Sequence, residues 1–535
     1  MECKLIADCK KVVFLYSHSL DSMTDKITCF IATEDVATAA SLREDVLVDA
    51  VYTRADLRST GAMRWIASQA TGTYTLVYNK PTRLRFVHFA LHRLLQIAGD
   101  TGAAMLYADH FTVNAAGEIS EAPVIDYQIG SLRDDFDFGS VQVFRTDILK
   151  QAVAEMGSNR HQAIAEAEQG GLCDSKAGAT GFGAEPQYYK PERSKFAAAE
   201  GGYKYAGLYD LRLRVSRLGP IVHINEYLYY DIELDSRQFG EKLFDYVNPR
   251  NREVQIEMEA ACTEHLKAIG GYLAPTAFRE VDLDSEPFEF EASVVIPCRN
   301  RARTIADAIR SALDQKTTFP YNVIVVDDNS TDGAAEIISN MAAENPDRLV
   351  YIAQDKTYHA IGGNWNAALH HPKCGRFALQ LDSDDVYSGP DTVQKFVEAF
   401  REQKCAMVIG SYQITDFAMK PADMAPIEHR EWTPDNGRNN ALRINGLGAP
   451  RGFYTPLLRE MTFPTTKYGE DYAVALRISR HYRIGRIYDV MYFCRRWEGN
   501  SDASLDVATA NRYNTYKDRI RTWELQARIA ENNAR

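Results

Sequence analysis

The sequence lacks any long apolar run. Nowhere in its 535 residues is there a stretch of the roughly 18 apolar residues that a membrane-spanning helix requires. It also lacks a run of about five basic residues, and its net charge of -12 argues against a nucleic-acid partner, because phosphates are held by clustered lysine and arginine. Its nine cysteines include no C-x-x-C pair, which excludes the usual zinc and disulfide frameworks. These absences predict a cytoplasmic protein, with peripheral attachment to a membrane left open.

A regular alternation of strand-like and helix-like segments begins near Ser293. Residues 293–296 and 323–326 are apolar and rich in β-branched side chains, as in buried parallel strands, and residues 304–315 have apolar side chains at helical spacing. The alternation continues through helix 333–344, strand 348–353, helix 362–370, strand 376–381 and helix 391–403. The pattern predicts an open α/β sheet, in which ligands bind at the carboxyl ends of the strands.

Two groups of acidic residues follow strands of this predicted sheet. They are Asp327-Asp328 and Asp382-Ser383-Asp384-Asp385. Carboxylate oxygens suit Mg²⁺ or Mn²⁺, which proteins commonly share with substrate phosphates. The alternative is that each group only caps a loop. The metal ligands predicted here are Asp384 first, with Asp382 and Asp385, and the sequence does not decide between Asp384 and Asp385.

Three motifs, in this order and spacing, resemble those of the family 2 glycosyltransferases, which have the GT-A fold. They are Val294-Val295-Ile296-Pro297-Cys298-Arg299-Asn300, Val326-Asp327-Asp328-Asn329-Ser330-Thr331-Asp332 and Leu381-Asp382-Ser383-Asp384-Asp385. The resemblance implies transfer of a sugar from a nucleotide-sugar donor, with Mn²⁺ or Mg²⁺, and a uridine nucleotide is the first expectation. It also implies that the donor is bound by Pro297, Arg299, Asn300, Asp328, Asn366 and Asp382.

Two later segments extend the resemblance. The pair Glu470-Asp471 precedes a helix-like segment and matches the family's catalytic acids, of which Asp471 is the expected general base and Glu470 the second choice. Acids at a helix start also stabilise the helix dipole, which is the alternative. Arg495 and Arg496 match a loop that covers the donor diphosphate, although they could equally be surface charges. Gly362-Gly363 is either part of the nucleotide-facing loop and helix start or a simple turn before a helix.

The first half of the chain repeats the second in a degenerate form. Residues 204–217 align without a gap with residues 467–480, so that Gly207-Leu208 falls opposite the acidic pair. A second alignment, of 72–76 with 375–379, places Asn79-Lys80-Pro81-Thr82 opposite the group Asp382 to Asp385. The repeat predicts a first domain of the same fold that lacks the metal site, the base and the phosphate clamp.

The predicted architecture is α/β, with two tandem GT-A-like domains, a helical linker and a C-terminal helix. The predicted boundaries are 1–240 for the degenerate domain, 241–287 for the linker, 288–503 for the catalytic domain and 504–535 for the last helix. Apolar side chains at helical spacing on that helix, including Trp523, predict docking within the chain or on a second copy, as in a homodimer.

Three functions are compatible with these motifs. The first is an inverting glycosyltransferase that uses a glycan or lipid-linked acceptor. The second is a sugar- or nucleotide-binding pseudoenzyme, which the degenerate first half suggests. The third is a nucleotidyltransferase, but the segment Cys298 to Arg301 lacks the glycine- and lysine-rich phosphate loop that this function would need.

Overall fold

The computed structural model describes residues 25–33, 35–156, 202–234, 251–355, 359–429, 432–444, 447–497, 500 and 505–534. They divide into two compact units. Of the described residues, the first unit takes those up to Tyr127, those from Asp134 to residue 234, and Arg252–His265. The second unit takes Gln128–Arg133, residue 251 and the residues from Leu266 onward.

Each unit is built around an eight-stranded sheet with parallel and antiparallel neighbours. The strands of the first sheet are β1 Ile27–Ile31, β2 Val48–Thr53, β3 Tyr74–Tyr78, β4 Arg85–Phe86, β5 Met105–Val113, β6 Ile119–Ala122, β7 Val141–Arg145 and β8 Ile221–Ile232. Those of the second are β9 Ala292–Cys298, β10 Tyr321–Asp327, β11 Leu349–Ala353, β12 Phe377–Gln380, β13 Val386–Tyr387, β14 Met407–Thr415, β15 Arg451–Tyr454 and β16 Ile484–Arg495.

Helices connect and cover these strands. In the first unit they are α1 Val36–Glu44, α2 Thr60–Gln69, α3 Ala90–Thr101, α4 Thr146–Ala154, α5 Gly207–Leu218 and most of α6 Arg252–Ala268. In the second they are α7 Ile305–Leu313, α8 Ala334–Glu344, α9 Ala360–His370, α10 Thr392–Gln403, α11 Gly437–Asn440, α12 Thr455–Met461, α13 Glu470–His481 and α14 Val507–Asn533. The α/β class predicted from the sequence is confirmed.

The two sheets have the same topology, which confirms the internal repeat. The first runs in the order β2-β1-β3-β7-β5-β8-β4 and the second β11-β10-β9-β12-β15-β14-β16-β13. Strand for strand, β1, β2, β3, β4, β5, β7 and β8 correspond to β9, β10, β12, β13, β14, β15 and β16, and each pairing keeps its direction. In the described part of the first unit β11 has no counterpart, while β6 is an addition.

The repeat extends to single hydrogen bonds at the start of the central strands. The hydroxyl of Thr28 on β1 accepts the N–H of Gly72 at 2.8 Å, and the hydroxyl of Ser293 on β9 accepts the N–H of Gly375 at 2.7 Å. Both glycines lie so close to the neighbouring backbone that a Cβ would overlap it. β1 is therefore the counterpart of β9, although its sequence has no Val-Val-Ile-Pro run.

The last helix, α14, docks within the second unit. Its buried face is largely charged and comprises Asp518, Ile520, Arg521, Thr522, Glu524, Leu525 and Arg528. Trp523, which the spacing places on the apolar stripe, is instead 54% exposed. Within the chain this helix therefore docks mainly through paired arginines and carboxylates, and docking of the stripe through Trp523 on a second copy stays a prediction.

A short segment from the first half of the chain belongs to the second unit and packs against α14. Gly130 donates its N–H to the Thr522 hydroxyl at 3.0 Å, and a Cβ on Gly130 would lie 2.2 Å from the Thr522 nitrogen. Ser131 and Arg133 both bind the buried Asp518 carboxylate, at 3.2 Å each. Residues far apart in sequence are thus required to complete this unit.

Candidate active site

The acidic group Asp382 to Asp385 lies between β12 and β13, at the carboxyl end of β12. The N–H of Asp382 donates to the Tyr492 hydroxyl at 3.0 Å, and Asp385 accepts the N–H of Arg495 at 2.7 Å. Burial, followed by the charge of Asp384, raises the pKa of Asp382. Burial and the charges of Asp382 and Asp384 hold the pKa of Asp385 well above its ordinary value. The three carboxyl groups are crowded together in a desolvated place.

Asp384 is the member of this group that faces a ring of donors. Its Oδ2 lies 3.4 Å from the Trp497 indole nitrogen, 3.4 Å from the Asn500 amide nitrogen and 3.5 Å from Nε of Arg301. These donors come from the two chain segments that flank the acidic group, after β16 and after β9. Asp384 is therefore held by polar contacts rather than by burial alone.

The chemistry of this group fits a hard divalent cation, because its side chains offer carboxylate oxygens. A cation would also offset the mutual repulsion of Asp382 and Asp385, whose pKa values are raised. In the described part of the chain, however, no three His, Cys, Asp or Glu side chains converge with metal-binding geometry. A cation at this place would need further oxygen ligands from water or from a bound diphosphate.

Four of the residues predicted to bind the nucleotide, namely Pro297, Arg299, Asn300 and Asp328, lie at the ends of β9 and β10. Arg299 Nη1 lies 3.3 Å from Asp328 Oδ2, whereas Asp328 Oδ1 is buried without a hydrogen-bond partner. Asn300, at a φ of 53°, accepts the N–H of Thr331 at 2.8 Å, which ties the two loops together. Pro297 lies within β9, paired with Val326. A buried acceptor without a partner suits a ligand that brings its own N–H group.

Glu470 and Asp471 begin α13, directly after Gly469, whose φ of 83° is easily reached only by glycine. Burial, followed by the charge of Asp471, raises the pKa of Glu470 to about 8, and Asp382 is among the charges that contribute. Asp471 is more exposed, and its Oδ2 lies 2.5 Å from Nη2 of Arg451 on β15. At neutral pH Glu470 therefore keeps its proton and Asp471 faces a guanidinium group.

Gly362 and Gly363 lie inside α9, which begins at Ala360, so the interpretation of a turn before a helix is wrong. The reason is a close approach: a Cβ on Gly362 would lie 1.9 Å from the carbonyl oxygen of Pro464 and 3.4 Å from the Cβ of Glu470. Asn366, on the same helix, holds the same segment, since its amide exchanges two 2.8 Å hydrogen bonds with the backbone of Phe463. This glycine and this asparagine position the chain that leads to the acidic pair.

Arg495 ends β16 and is buried beside the acidic group. Its Nε donates to the Asp384 carbonyl at 2.6 Å and its Nη1 to Asp307 at 3.0 Å, while Nη2 is buried without a hydrogen-bond partner. Arg496 donates its N–H to the Thr415 carbonyl at 2.8 Å. Arg495 is thus not the surface charge of the alternative interpretation, and its unused donor is available to a bound anion.

Several residues of the site escaped the sequence analysis. Arg301 and Arg303 lie over the Trp497 ring, at 6.0 and 5.1 Å from its centroid, and Arg303 also covers Phe417 at 4.6 Å. The arginines follow a motif that was recognised, so their position beside it was an available signal. Nothing in the sequence around Phe417 marks that residue. Arg451 lies in a glycine-rich segment, residues 446–452, whose sequence suggests an acceptor-side loop but assigns no role to the arginine itself.

The corresponding place in the first unit is occupied by an ion pair. Lys80, in the segment aligned with the acidic group, lies with its Nζ 2.9 Å from Asp231 Oδ2, and Asp231 is fully buried. Ser140 donates its hydroxyl to the same oxygen at 2.5 Å. At the start of α5, Gly207 and Leu208 stand where α13 has its two acids. The first unit thus has a lysine and its carboxylate in place of the acidic group.

Part of the second unit matches a known protein family. Residues 293–460 match the model of the family described as Glycosyl transferase family 2. The match includes Asp328 and Asp382 to Asp385 and ends before Glu470.

Relatives and solved structures resemble parts of the chain. The poly(ribitol-phosphate) beta-glucosyltransferase of Bacillus spizizenii is 27% identical over 237 residues, which is 43% of this chain and 36% of that protein. The chondroitin synthase of Pasteurella multocida is 28% identical over 172 residues, 28% of this chain and 17% of that protein. The structure of S. aureus TarS 1-349 in complex with UDP-GlcNAc is 21% identical, covers 44% of this chain and 72% of that one, and has a TM-score of 0.34.

The chain thus spans well under two thirds of the length of these curated relatives. Separately, within the ranges described here, no helix has both the length and the apolar character needed to cross a bilayer.

Proposed function

We propose that the chain is an inverting glycosyltransferase with one active centre, in its second unit, since residues 293–460 match the model of glycosyl transferase family 2. The observation that carries the proposal is the proximity of two kinds of carboxyl group. The acidic group Asp382 to Asp385 and the pair Glu470-Asp471 lie close enough for Asp382 to raise the pKa of Glu470. One group suits the donor phosphates, and the other suits the acceptor hydroxyl.

In this proposal Asp471 is the general base. It accepts the proton of the acceptor hydroxyl while that oxygen forms a bond to the anomeric carbon of the donor sugar. The bond from the anomeric carbon to the phosphate oxygen breaks, and its electron pair leaves with the nucleoside diphosphate. Attack from the face opposite the leaving group inverts the anomeric configuration. Glu470 is the second choice, because it is buried and holds its proton at neutral pH.

The leaving diphosphate is stabilised by positive charge around the acidic group. Arg495 has a buried Nη2 without a hydrogen-bond partner that can donate to a phosphate oxygen, and Arg496 follows it. Mn²⁺ or Mg²⁺, held by Asp384 with Asp382 or Asp385, would supply charge neutralisation to the same diphosphate. Asp328, Arg299, Asn300 and Pro297 hold the nucleotide, and Asn366 supports the segment before the base.

The donor is proposed to be a uridine nucleotide sugar. The buried Oδ1 of Asp328 can accept an N–H group, which a uracil ring offers at N3. The relatives' names refer to a poly(ribitol phosphate) glucosyltransferase and a chondroitin synthase, so the acceptor is proposed to be a glycan or lipid-linked glycan. The first unit, with Lys80 and Asp231 in place of the acidic group, is proposed to have no catalytic role.

The test is turnover of a panel of UDP-, GDP- and CMP-sugars by the full chain, with Mn²⁺ and with a chelator. We expect one donor class to release its nucleotide, with inversion of the sugar in the product. Asp384→Asn and Asp471→Asn should each lower kcat by about 10²-fold or more. Glu344→Gln, at an exposed residue on α8, is the matched control and should leave kcat unchanged.

Three outcomes would contradict the proposal. Binding of a donor without turnover by the unaltered chain would favour a pseudoenzyme. Release of pyrophosphate from a nucleoside triphosphate and a sugar phosphate would favour a nucleotidyltransferase. Equal turnover by the unaltered chain and by both the Asp384→Asn and Asp471→Asn variants would place the chemistry elsewhere.

A further inference from the structure

We propose that Arg451 is a positioning residue that orients the base Asp471 and, through Gln380, joins it to the donor-side carboxylate Asp382. This inference rests on the proposed function, since it assigns a role within that active centre. In this role Arg451 acts on the reaction through the two carboxylates rather than by direct contact with the substrates. The position of Asp471 would then be fixed relative to that of Asp382.

The connection is a continuous chain of polar contacts. Arg451 Nη2 lies 2.5 Å from Asp471 Oδ2, and Arg451 Nη1 donates to Gln380 Oε1 at 2.8 Å. The amide nitrogen of Gln380 in turn donates to Asp382 Oδ1 at 3.0 Å. Nε of Arg451 donates to the Leu447 carbonyl at 2.6 Å, so each guanidinium nitrogen has a contact. The guanidinium plane is therefore fixed.

The sheet explains why these residues meet. β12 and β15 are antiparallel neighbours, and Leu379 pairs with Gly452. Gln380 follows Leu379 and Arg451 precedes Gly452, so these two residues are also opposite one another. Both side chains are buried, at 7% and 8% exposure. A position on two paired strands is more rigid than one on a loop, which suits a group that must hold a base to within a fraction of an ångström.

The choice of arginine follows from geometry. A guanidinium group offers donors in a rigid plane and can serve a carboxylate, an amide and a carbonyl at once, whereas a lysine ammonium is a single point of charge on a flexible stem. Arg451 is also among the charges that act on Glu470, whose pKa is raised to about 8 by burial.

The first unit supplies an internal comparison. Because β3 pairs with β7 as β12 pairs with β15, the counterparts of Gln380 and Arg451 are Val77 and Gln142. Asp471 corresponds to Leu208, and the amide oxygen of Gln142 is buried without a hydrogen-bond partner. All members of the connection are absent from the unit that lacks the acidic pair. Both units have the same strand pairing at this position, so a purely structural arginine would be equally useful in both. Its replacement by Gln142 in the first unit therefore favours a role tied to the acidic pair.

The experiment uses three variants of the full chain. Arg451→Gln copies the first unit, Arg451→Lys keeps the charge but not the planar group, and Gln380→Val cuts the connection on the donor side. With the donor that the unaltered chain turns over, we expect kcat to fall about 10²-fold in Arg451→Gln and about tenfold in the other two. KM for the donor should change less than about threefold. The pH dependence of kcat should also change in Arg451→Gln, because Arg451 is among the charges that act on Glu470.

A matched control is Arg438→Lys. Arg438 is also buried, and its guanidinium binds the carbonyl oxygens of Ala274, Ser479 and Arg480 rather than a carboxylate of the active centre. This variant should lower the melting temperature without moving the pH profile. A lowered melting temperature in the Arg451 variants, with kcat and the pH profile unchanged in the folded protein, would reduce Arg451 to a structural role.

The two proposals fail in different ways. If the unaltered chain turns over no donor, the proposed function is wrong before any variant is compared. If it turns over a donor but Arg451→Gln keeps the same kcat and pH profile, the function stands and the positioning role is wrong. A larger effect on KM than on kcat would also overturn it, because it would place Arg451 in substrate binding.

Discussion

Glu470 and Asp471 are neighbours in sequence but have different surroundings. Glu470 is buried beneath α9, against Gly362, while Asp471 is partly exposed and faces Arg451. Burial raises the pKa of Glu470 to about 8, whereas the Asp471 carboxylate contacts a guanidinium group. Their order at the start of a helix decides which of them reaches the protein surface.

The raised pKa of Glu470 predicts how stability depends on pH. Between its ordinary value of 4.5 and about 8, the folded chain keeps a proton that the unfolded chain has lost, so stability falls as the pH rises through this window. Glu470→Gln has no side-chain proton to lose and should therefore abolish this fall in stability. We expect its melting temperature to exceed that of the unaltered chain by more at pH 9 than at pH 5, with kcat at pH 7 within about tenfold.

Thermal unfolding of both proteins at several pH values measures this effect. Asp471→Asn is the comparison, since it should lose activity without the same gain in stability at high pH. A difference in melting temperature between Glu470→Gln and the unaltered chain that is constant from pH 5 to 9 would contradict the prediction.

Helix α9 shows how one element positions another. Gly362 lets the carbonyl of Pro464 come close to the helix, and Asn366 binds the backbone of Phe463 one turn further on. The chain between these contacts and α13 is short, so the place of α9 determines where the acidic pair begins. A helix that contains two glycines is costly on propensity alone, which indicates that close packing is the reason for Gly362.

Gly362→Ala should therefore destabilise the protein by about 2 kcal/mol and lower kcat, because the new Cβ would displace the segment that leads to Glu470. Gly99→Ala in α3 is the matched control: nothing lies within 4 Å of its added Cβ, so the same change should be neutral or stabilise by up to about 1 kcal/mol. Chemical unfolding compares the two. Equal effects would show that helix propensity, not the Pro464 contact, governs the glycine.

The elements of the second unit could be predicted because their sequence carries several signals at once. β10 is a continuous apolar run that ends in acids, and the helices around it have regular spacing. β1 has neither signal. Only its hydrogen bond from Gly72 to Thr28, which matches the one from Gly375 to Ser293 on β9, identifies it.

The contact between Arg451 and Gln380 could not be predicted, since it depends on the register of two strands far apart in sequence. The charged face of α14 opposes the rule that buried positions are apolar.

At the scale of the whole molecule, the second unit is built from separate stretches of chain. Asp518 on α14 is fully buried and binds Ser131, Arg133 and Arg521. Removal of a carboxylate that lies between two buried arginines is costly, because the positive charges lose their shared counter-charge in a desolvated place. The boundary drawn from the sequence, at 240, takes no account of this segment.

Asp518→Asn should accordingly lower the free energy of unfolding by about 3 kcal/mol. Glu531→Gln, on the same helix, is the control: Glu531 is 37% exposed and pairs with Arg480 at 3.1 Å, so its loss should cost at most about 1 kcal/mol. Denaturant unfolding of the full chain measures both. A loss at Asp518 no larger than at Glu531 would mean that Arg133 is held by other contacts.

The union of Gly130, Ser131 and Arg133 with α14 has a consequence for biosynthesis. A ribosome makes these residues well before the helix that receives them, 387 positions earlier in the case of Ser131 and Asp518. Contacts of such sequence separation form late and slowly. The second unit therefore cannot reach its final packing until α14 has been synthesised, because the contact between Arg133 and Asp518 forms only then.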